Sequence, residues 1–156
     1  MKIKDIMTEN CCFVPHTATL QEAAQKMAEM DCGFMPVGKN DKLCGIVTDR
    51  DIAIRAVAKN LATDTAVSKI MSDKVLYCLE TDSVNDIARN MSENRVRRLV
   101  VLNNAKDKKL SGIVSICDIV TAQNTESSTA HQLIQGVSRN NNSRNSKTGK
   151  NPSKAA

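Results

Sequence analysis

"GIVTDRD" at residues 45–51 and "GIVSICD" at 112–118 decide how this chain is read. Each joins a glycine and a short apolar run to a hydroxyl residue that is followed three places later by an aspartate. A Thr or Ser before an acidic N3 residue satisfies orphan amides at a helix start and complements the helix dipole. Each stretch therefore predicts a strand that runs directly into a helix. Working outward, "LCGIVTDRDI" (43–52) falls on "LSGIVSICDI" (110–119) at an offset of 67. Further upstream the offset is 64. It lays "IKDIMT" (3–8) on "VSKIMS" (67–72), "TATLQEAAQKMAE" (17–29) on "TDSVNDIARNMSE" (81–93) and "CGFMPV" (32–37) on "VRRLVV" (96–101). The three-residue difference lies in a loop, where "GKND" becomes "LNNAKDK". Apolar positions, caps and glycines coincide, which marks an internal repeat.

Each repeat predicts the same elements. A short strand comes first, at 11–15 and 75–79. Thr19 with Glu22, and Ser83 with Asp86, are the expected N-caps of a helix with an apolar stripe. That stripe is Leu20, Ala23, Ala24 and Met27 in one copy, and Val84, Ile87, Ala88 and Met91 in the other. The spacing of three to four places it on one helix face, where methionine is a packing residue. Strands 34–37 with 43–48, and 98–102 with 110–115, are joined by polar, turn-rich connections as in hairpins. The order is β-α-β-β-α, twice, over 1–64 and 65–122: an α/β (α+β) fold. A unit of about 60 residues buries little of its surface alone. Two similar units packed sheet against sheet, about a pseudo-twofold axis, are expected, with a groove between the half-sheets as a natural ligand site. Residues 125–137 predict a short helix within 123–138, capped by Ser127 or Ser128, with Leu133, Ile134 and Val137 inward. Residues 139–156 lack apolar periodicity and predict a disordered basic tail.

Composition narrows the function classes. The 156 residues include 41% apolar residues but only 2% aromatics, so the core is Ile, Val, Leu, Met and Ala. That argues against a stacking platform for single-stranded nucleic acid. The net charge is +5, and Arg139, Arg144, Lys147, Lys150 and Lys154 account for it, because nothing after Glu126 is acidic. The basic balance thus describes the tail. Six cysteines are present. They include no C-x-x-C and none at matched positions of the repeat, which fits free thiols in a reducing cytoplasm better than a disulfide framework or a zinc site. No leader or membrane span is expected from the polar start "MKIKDIMTEN" and the short apolar runs. His16 and His131 have no nucleophile partner, and P-loop, G-x-S-x-G and H-E-x-x-H motifs do not occur, so no catalytic residue is predicted.

"KDIMT", "GFMPV" and "GIVTDRD", repeated as "SKIMS", "RRLVV" and "GIVSICD", resemble a tandem pair of cystathionine-β-synthase-type (CBS) domains, the Bateman module, over residues 1–122. The resemblance implies an adenosine ligand (AMP, ADP or ATP, with S-adenosylmethionine as a further candidate) between the two units. It also implies a homodimer, and regulation of an effector protein by a stand-alone module that needs no metal. By resemblance, Thr48 and Ser115 meet phosphate while Asp51 and Asp118 accept the ribose hydroxyls. Arg50 and Arg97 reach toward phosphate; the counterpart of Arg97 in the first repeat is Gly33. Ile46 and Ile113 wall the adenine, and Thr8 and Ser72 add polar contacts from the opposite repeat. Such roles suit the chemistry: a helix start favours anions, an acidic residue can take both ribose hydroxyls, and the Arg fork fits phosphate oxygens. Pro36 is replaced by Val100 in the second copy. Two alternatives compete with nucleotide sensing. One is an interaction module without a ligand, and the other, not favoured, is nucleic-acid binding by the tail.

Overall fold

The computed structural model describes residues 1–9, 11–40, 42–122, 131, 134–136 and 138. In chain order the elements are β1 (Thr8–Glu9), β2 (Val14–Pro15), α1 (Leu20–Glu29), β3 (Phe34–Lys39), β4 (Lys42–Thr48) and α2 (Asp49–Asp51). The α2 turn continues through a π-helical stretch, Ile52–Ala56, and a 3₁₀ turn, Val57–Lys59. Then come β5 (Tyr77–Leu79), α3 (Val84–Asn94), β6 (Arg98–Leu102), β7 (Leu110–Ser115) and α4 (Ile116–Thr121). The repeated β-α-β-β-α order is present in both copies, and short 3₁₀ turns at Ile3–Asp5 and Val67–Lys69 recur at equivalent places.

The chain packs as two compact units. The first, here the TDRD unit, is Cys12–Val75. Its sheet runs β2-β3-β4, with β2 parallel and β4 antiparallel to β3. Leu20, Ala23 and Met27 of α1 pack on Val14, Met35, Val37 and Val47, and Val67 and Ile70 from beyond α2 close the cluster. The second, the SICD unit, is Met1–Cys11 together with the chain from Leu76 onward. Its sheet runs β1-β7-β6-β5. Val84, Ile87, Ala88 and Met91 of α3 pack on Cys78, Leu99, Val101 and Val114, and Ile3 completes the cluster. Burial pushes the Cys78 thiol well above its ordinary range. Both β-hairpins shift register at the same place, between Val37 and Gly38 and between Val101 and Leu102.

The packing units therefore differ from the sequence repeats 1–64 and 65–122. Each unit takes in the lead segment of the other repeat. Thr8 pairs with Ile113 and Glu9 with Gly112, so β1 is an edge strand of the SICD sheet. Ser72 pairs with Ile46 in the TDRD unit. Close approach explains the glycine of each "GIV" motif. A Cβ on Gly112 would lie 2.5 Å from the Thr8 carbonyl oxygen, and one on Gly45 would lie 3.1 Å from that of Ser72. Neither glycine has a positive φ, so passage of the neighbouring chain is what requires it.

Five local expectations need correction. Ala24, placed in the apolar stripe of α1, is exposed, and the strand foreseen over 75–79 is Tyr77–Leu79. The strand foreseen over 11–15 is reduced to Val14–Pro15, the two residues that reach β3; Cys12 and Phe13 are exposed. Thr19 caps α1 in a full box with Glu22, whose carboxyl is held below its ordinary value by the Thr19 N–H and hydroxyl. Ser83 stands at the N-cap of α3 but makes no side-chain cap bond. The Val84 N–H donates to the Met1 carbonyl at 3.3 Å, as the Leu20 N–H does to that of Thr65 at 2.9 Å, and Asp86 lies 3.7 Å from Arg89. The helix expected over 125–137 falls mostly outside the described residues, including Ser127, Ser128, Leu133 and Val137; Ile134 is described and is exposed rather than inward. The tail, 139–156, also lies outside them.

Candidate functional site

In the TDRD unit, β4 ends at Thr48, whose extended backbone turns the chain into α2. The Thr48 Oγ1 accepts from the Asp51 N–H at 3.1 Å. Asp51 Oδ2 in return accepts from the Thr48 N–H at 3.0 Å and from its hydroxyl at 2.8 Å. Asp51 Oδ1 faces Arg55, whose Nε lies 3.4 Å away, one helical turn on. Arg55 also donates to the Ile70 carbonyl at 2.8 Å and to the Ser72 Oγ at 3.1 Å. Ser72 and Ile46 exchange both backbone bonds, at 2.8 and 3.0 Å. The remaining amides at the start of α2 are also bonded: Asp49 N–H to the Gly33 carbonyl at 3.1 Å, and Arg50 N–H to the Asp49 carboxylate at 2.7 Å.

The SICD unit repeats the box. Ser115 Oγ accepts from the Asp118 N–H at 3.3 Å, and Asp118 Oδ2 accepts from the Ser115 N–H and hydroxyl, both at 2.7 Å. The Ile116 N–H donates to the Arg97 carbonyl at 3.0 Å, the counterpart of the Asp49–Gly33 bond. There the likeness stops. Asp118 Oδ1 and the Cys117 N–H have no partner among the described residues.

The predicted residues thus assemble as two sets. Ile46, Thr48, Asp51 and Ser72 are joined in one unit, while Thr8, Ile113, Ser115 and Asp118 are joined in the other. Thr8 and Ser72 do come from the opposite repeat, as expected, yet each belongs to the unit that holds its motif. Arg50 is exposed on α2, and Arg97 is exposed just before β6, where its carbonyl holds the start of α4. Sequence reasoning missed Arg55 and Asp49. The signal for Arg55 was its i+4 spacing from Asp51, a helical ion-pair spacing. Asp49 carried none, because an acid in a first turn is ordinary. A separate groove of about 320 Å³ beside α1 is lined by Val14, Pro15, Ala18, Glu22, Gln25, Lys26 and Glu29, and includes none of the predicted site residues. Among the described residues no group of three or more His, Cys, Asp or Glu is placed to hold a metal ion, and no helix is long and apolar enough to cross a membrane.

The model of the CBS domain matches this chain twice, over residues 3–57 and 67–124. The chain belongs to the CBS-domain family. Both matches contain one T/S-x-x-D box with the strand before it, so the repeated geometry above is that of two CBS domains. Similar CBS proteins include the CBS domain-containing protein YhcV of Bacillus subtilis, 33% identical over 131 residues that cover 84% of this chain and 91% of the relative. Among solved structures, the CBS domain protein PAE2072 from Pyrobaculum aerophilum complexed with AMP is 27% identical. It superposes with a TM-score of 0.69 over 86% of this chain and 99% of its own. The CBS domain pair of protein MJ0100, in complex with 5'-methylthioadenosine and S-adenosyl-L-methionine, is also 27% identical. Its TM-score is 0.66 over 76% of this chain and 92% of its own.

Proposed function

We propose that this CBS pair is a regulatory module that senses an adenosine nucleotide and passes its state to a partner protein. The reading is carried by the two T/S-x-x-D boxes, each set at the end of a strand beside a hydroxyl residue from the opposite repeat. Relatives of the same fold hold AMP, or 5'-methylthioadenosine and S-adenosyl-L-methionine. In such a site the box aspartate accepts from the ribose hydroxyls, and the box hydroxyl with a nearby arginine meets the phosphate. Ile46 or Ile113, one strand step before the box, offers the adenine an apolar face. Binding regulates only if the ligand prefers one of two states of the module, so affinity for ligand and affinity for partner are coupled.

Nucleotide-free protein should therefore be stabilised by AMP, ADP, ATP or S-adenosylmethionine in thermal denaturation. At a ligand concentration a hundred times Kd the gain is about 2.7 kcal/mol, or roughly 6–10 °C for a chain of this size. A flat response to all four would leave the ligand-independent interaction module as the better reading.

The module is further proposed to pair with a second copy. Ile54 in the π-helical stretch, Val57 in the 3₁₀ turn and Leu61 just beyond it are all exposed, Val57 by 71%. Val57→Glu should convert a dimer into a monomer in size-exclusion chromatography with light scattering. A wild-type monomer, or a Val57→Glu dimer, would count against this surface.

A further inference from the structure

The two boxes share their fold but not their state of satisfaction. In the TDRD unit the box carboxylate and the first three amides of α2 already have partners. Asp51 Oδ2 is held by Thr48, and its Oδ1 faces Arg55. The first three amides of α2 donate to Gly33, to the Asp49 carboxylate and to Thr48. In the SICD unit Asp118 Oδ1 and the Cys117 N–H are open among the described residues. The difference follows from three substitutions between the repeats. Arg55 aligns with Ala122, Asp49 with Ile116, and Gly33 with Arg97.

We propose that Asp49 and Arg55 close the first box to phosphate-bearing ligands, so that the chain takes one nucleotide, at Ser115 and Asp118, rather than two. The proposal rests on the adenosine-binding reading above and says which of its two motifs is used. Two physical effects support it. A ribose hydroxyl approaching Asp51 Oδ1 meets the Arg55 guanidinium, 3.4 Å from that oxygen at Nε. The Arg55 side chain is 43% exposed, so the ion pair alone is a weak barrier, but bonds to the Ile70 carbonyl and the Ser72 hydroxyl also fix its position. Phosphate at the start of α2 would meet the Asp49 carboxylate, a like charge that already occupies the Arg50 N–H. That carboxylate lies over Gly33, where a Cβ would run into it. At the equivalent place the SICD unit has the cation Arg97 and the neutral Ile116. Across these two aligned positions the first motif carries an anion, Asp49, and the second a cation, Arg97. Arg50, the cation that makes "TDRD" look the better phosphate motif in sequence, is outweighed by its two neighbours.

The test is isothermal titration of the nucleotide-free, full-length chain with AMP, repeated with ATP and S-adenosylmethionine. Wild type should bind one AMP per chain. Asp118→Ala should weaken that binding at least about tenfold, as expected for loss of charge-assisted hydrogen bonds. Asp49→Ile combined with Arg55→Ala gives the first box its counterpart's neighbours and should raise the AMP stoichiometry to two. Should the double variant fail to fold by circular dichroism, Asp49→Ile alone should show a second, weaker AMP site. Two AMP per wild-type chain, one AMP whose affinity survives Asp118→Ala, or a stoichiometry of one in the folded Asp49→Ile variants would each overturn the proposal. No heat with any probe would instead overturn the nucleotide-sensing reading, and this inference with it.

Discussion

Ile3→Ala should lower stability by about 2–5 kcal/mol, the range for emptying a fully buried aliphatic position. The loss should appear in the half of the molecule that lies far from Ile3 in sequence. Ile3 is wholly buried, packed with Cys78, Val84, Ile87, Met91 and Leu99 in the SICD unit. The backbone reinforces the attachment: the Ile3 N–H donates to the Asp82 carbonyl at 3.0 Å, and the Lys4 N–H to that of Glu80 at 3.1 Å. Thermal melting should show a drop of roughly 6–15 °C, taking about 3 °C per kcal/mol for a domain of this size. Amide hydrogen exchange gives the sharper readout, because local stability follows the cooperative unit. Protection should fall in β5, α3, β6 and β7. If it fell first in β2, α1, β3 and β4, Ile3 would belong to the other unit and the assignment of 1–11 would be wrong.

Gly112→Ala should cost about 2–3 kcal/mol, toward the top of the range for forced overpacking. The new methyl would stand 2.5 Å from the Thr8 carbonyl oxygen, which is backbone held in the β1–β7 ladder and cannot swing aside. The strand carrying Thr8 would have to lift from Ile113, so AMP affinity should fall together with stability. Gly38→Ala is the control. Its methyl would meet the ring of Phe13, an exposed side chain that can rotate away, and its cost should stay below about 1 kcal/mol. Equal losses in the two variants, measured by chemical denaturation, would show that close backbone approach is not what Gly112 serves.

Much of the fold was legible because it is written in local chemistry. The α3 stripe falls where the spacing placed it, as does that of α1 apart from the exposed Ala24, and the boxes at Thr19, Thr48 and Ser115 start helices as their acidic N3 residues indicate. Ser83 shows the limit of that logic. It has the same Ser-x-x-Asp form, yet its side chain makes no cap bond, and Asp86 lies beside Arg89 at 3.7 Å. Sequence spacing names a candidate cap, and the folded geometry decides whether the box closes. The ligand motifs were found for the same local reason, and their ranking was not. Arg50 is visible between Thr48 and Asp51 in sequence. Its weight is set by Arg55 and Asp49, whose effect depends on distances of 3.4 Å and 2.7 Å that only the folded chain defines.

By itself the sequence determined the repeated β-α-β-β-α order, the helix faces, the two T/S-x-x-D boxes and membership of the CBS family. Periodicity, capping and motif spacing are properties of neighbouring residues. Only the tertiary structure decided which repeat lends its first residues to which sheet, because β pairing joins segments without regard to their separation along the chain. It likewise decided that the Asp51 carboxylate faces Arg55 while Asp118 Oδ1 has no partner among the described residues. Hydrogen-bond satisfaction is an account of every donor and acceptor within reach, and reach is defined only once the chain has folded.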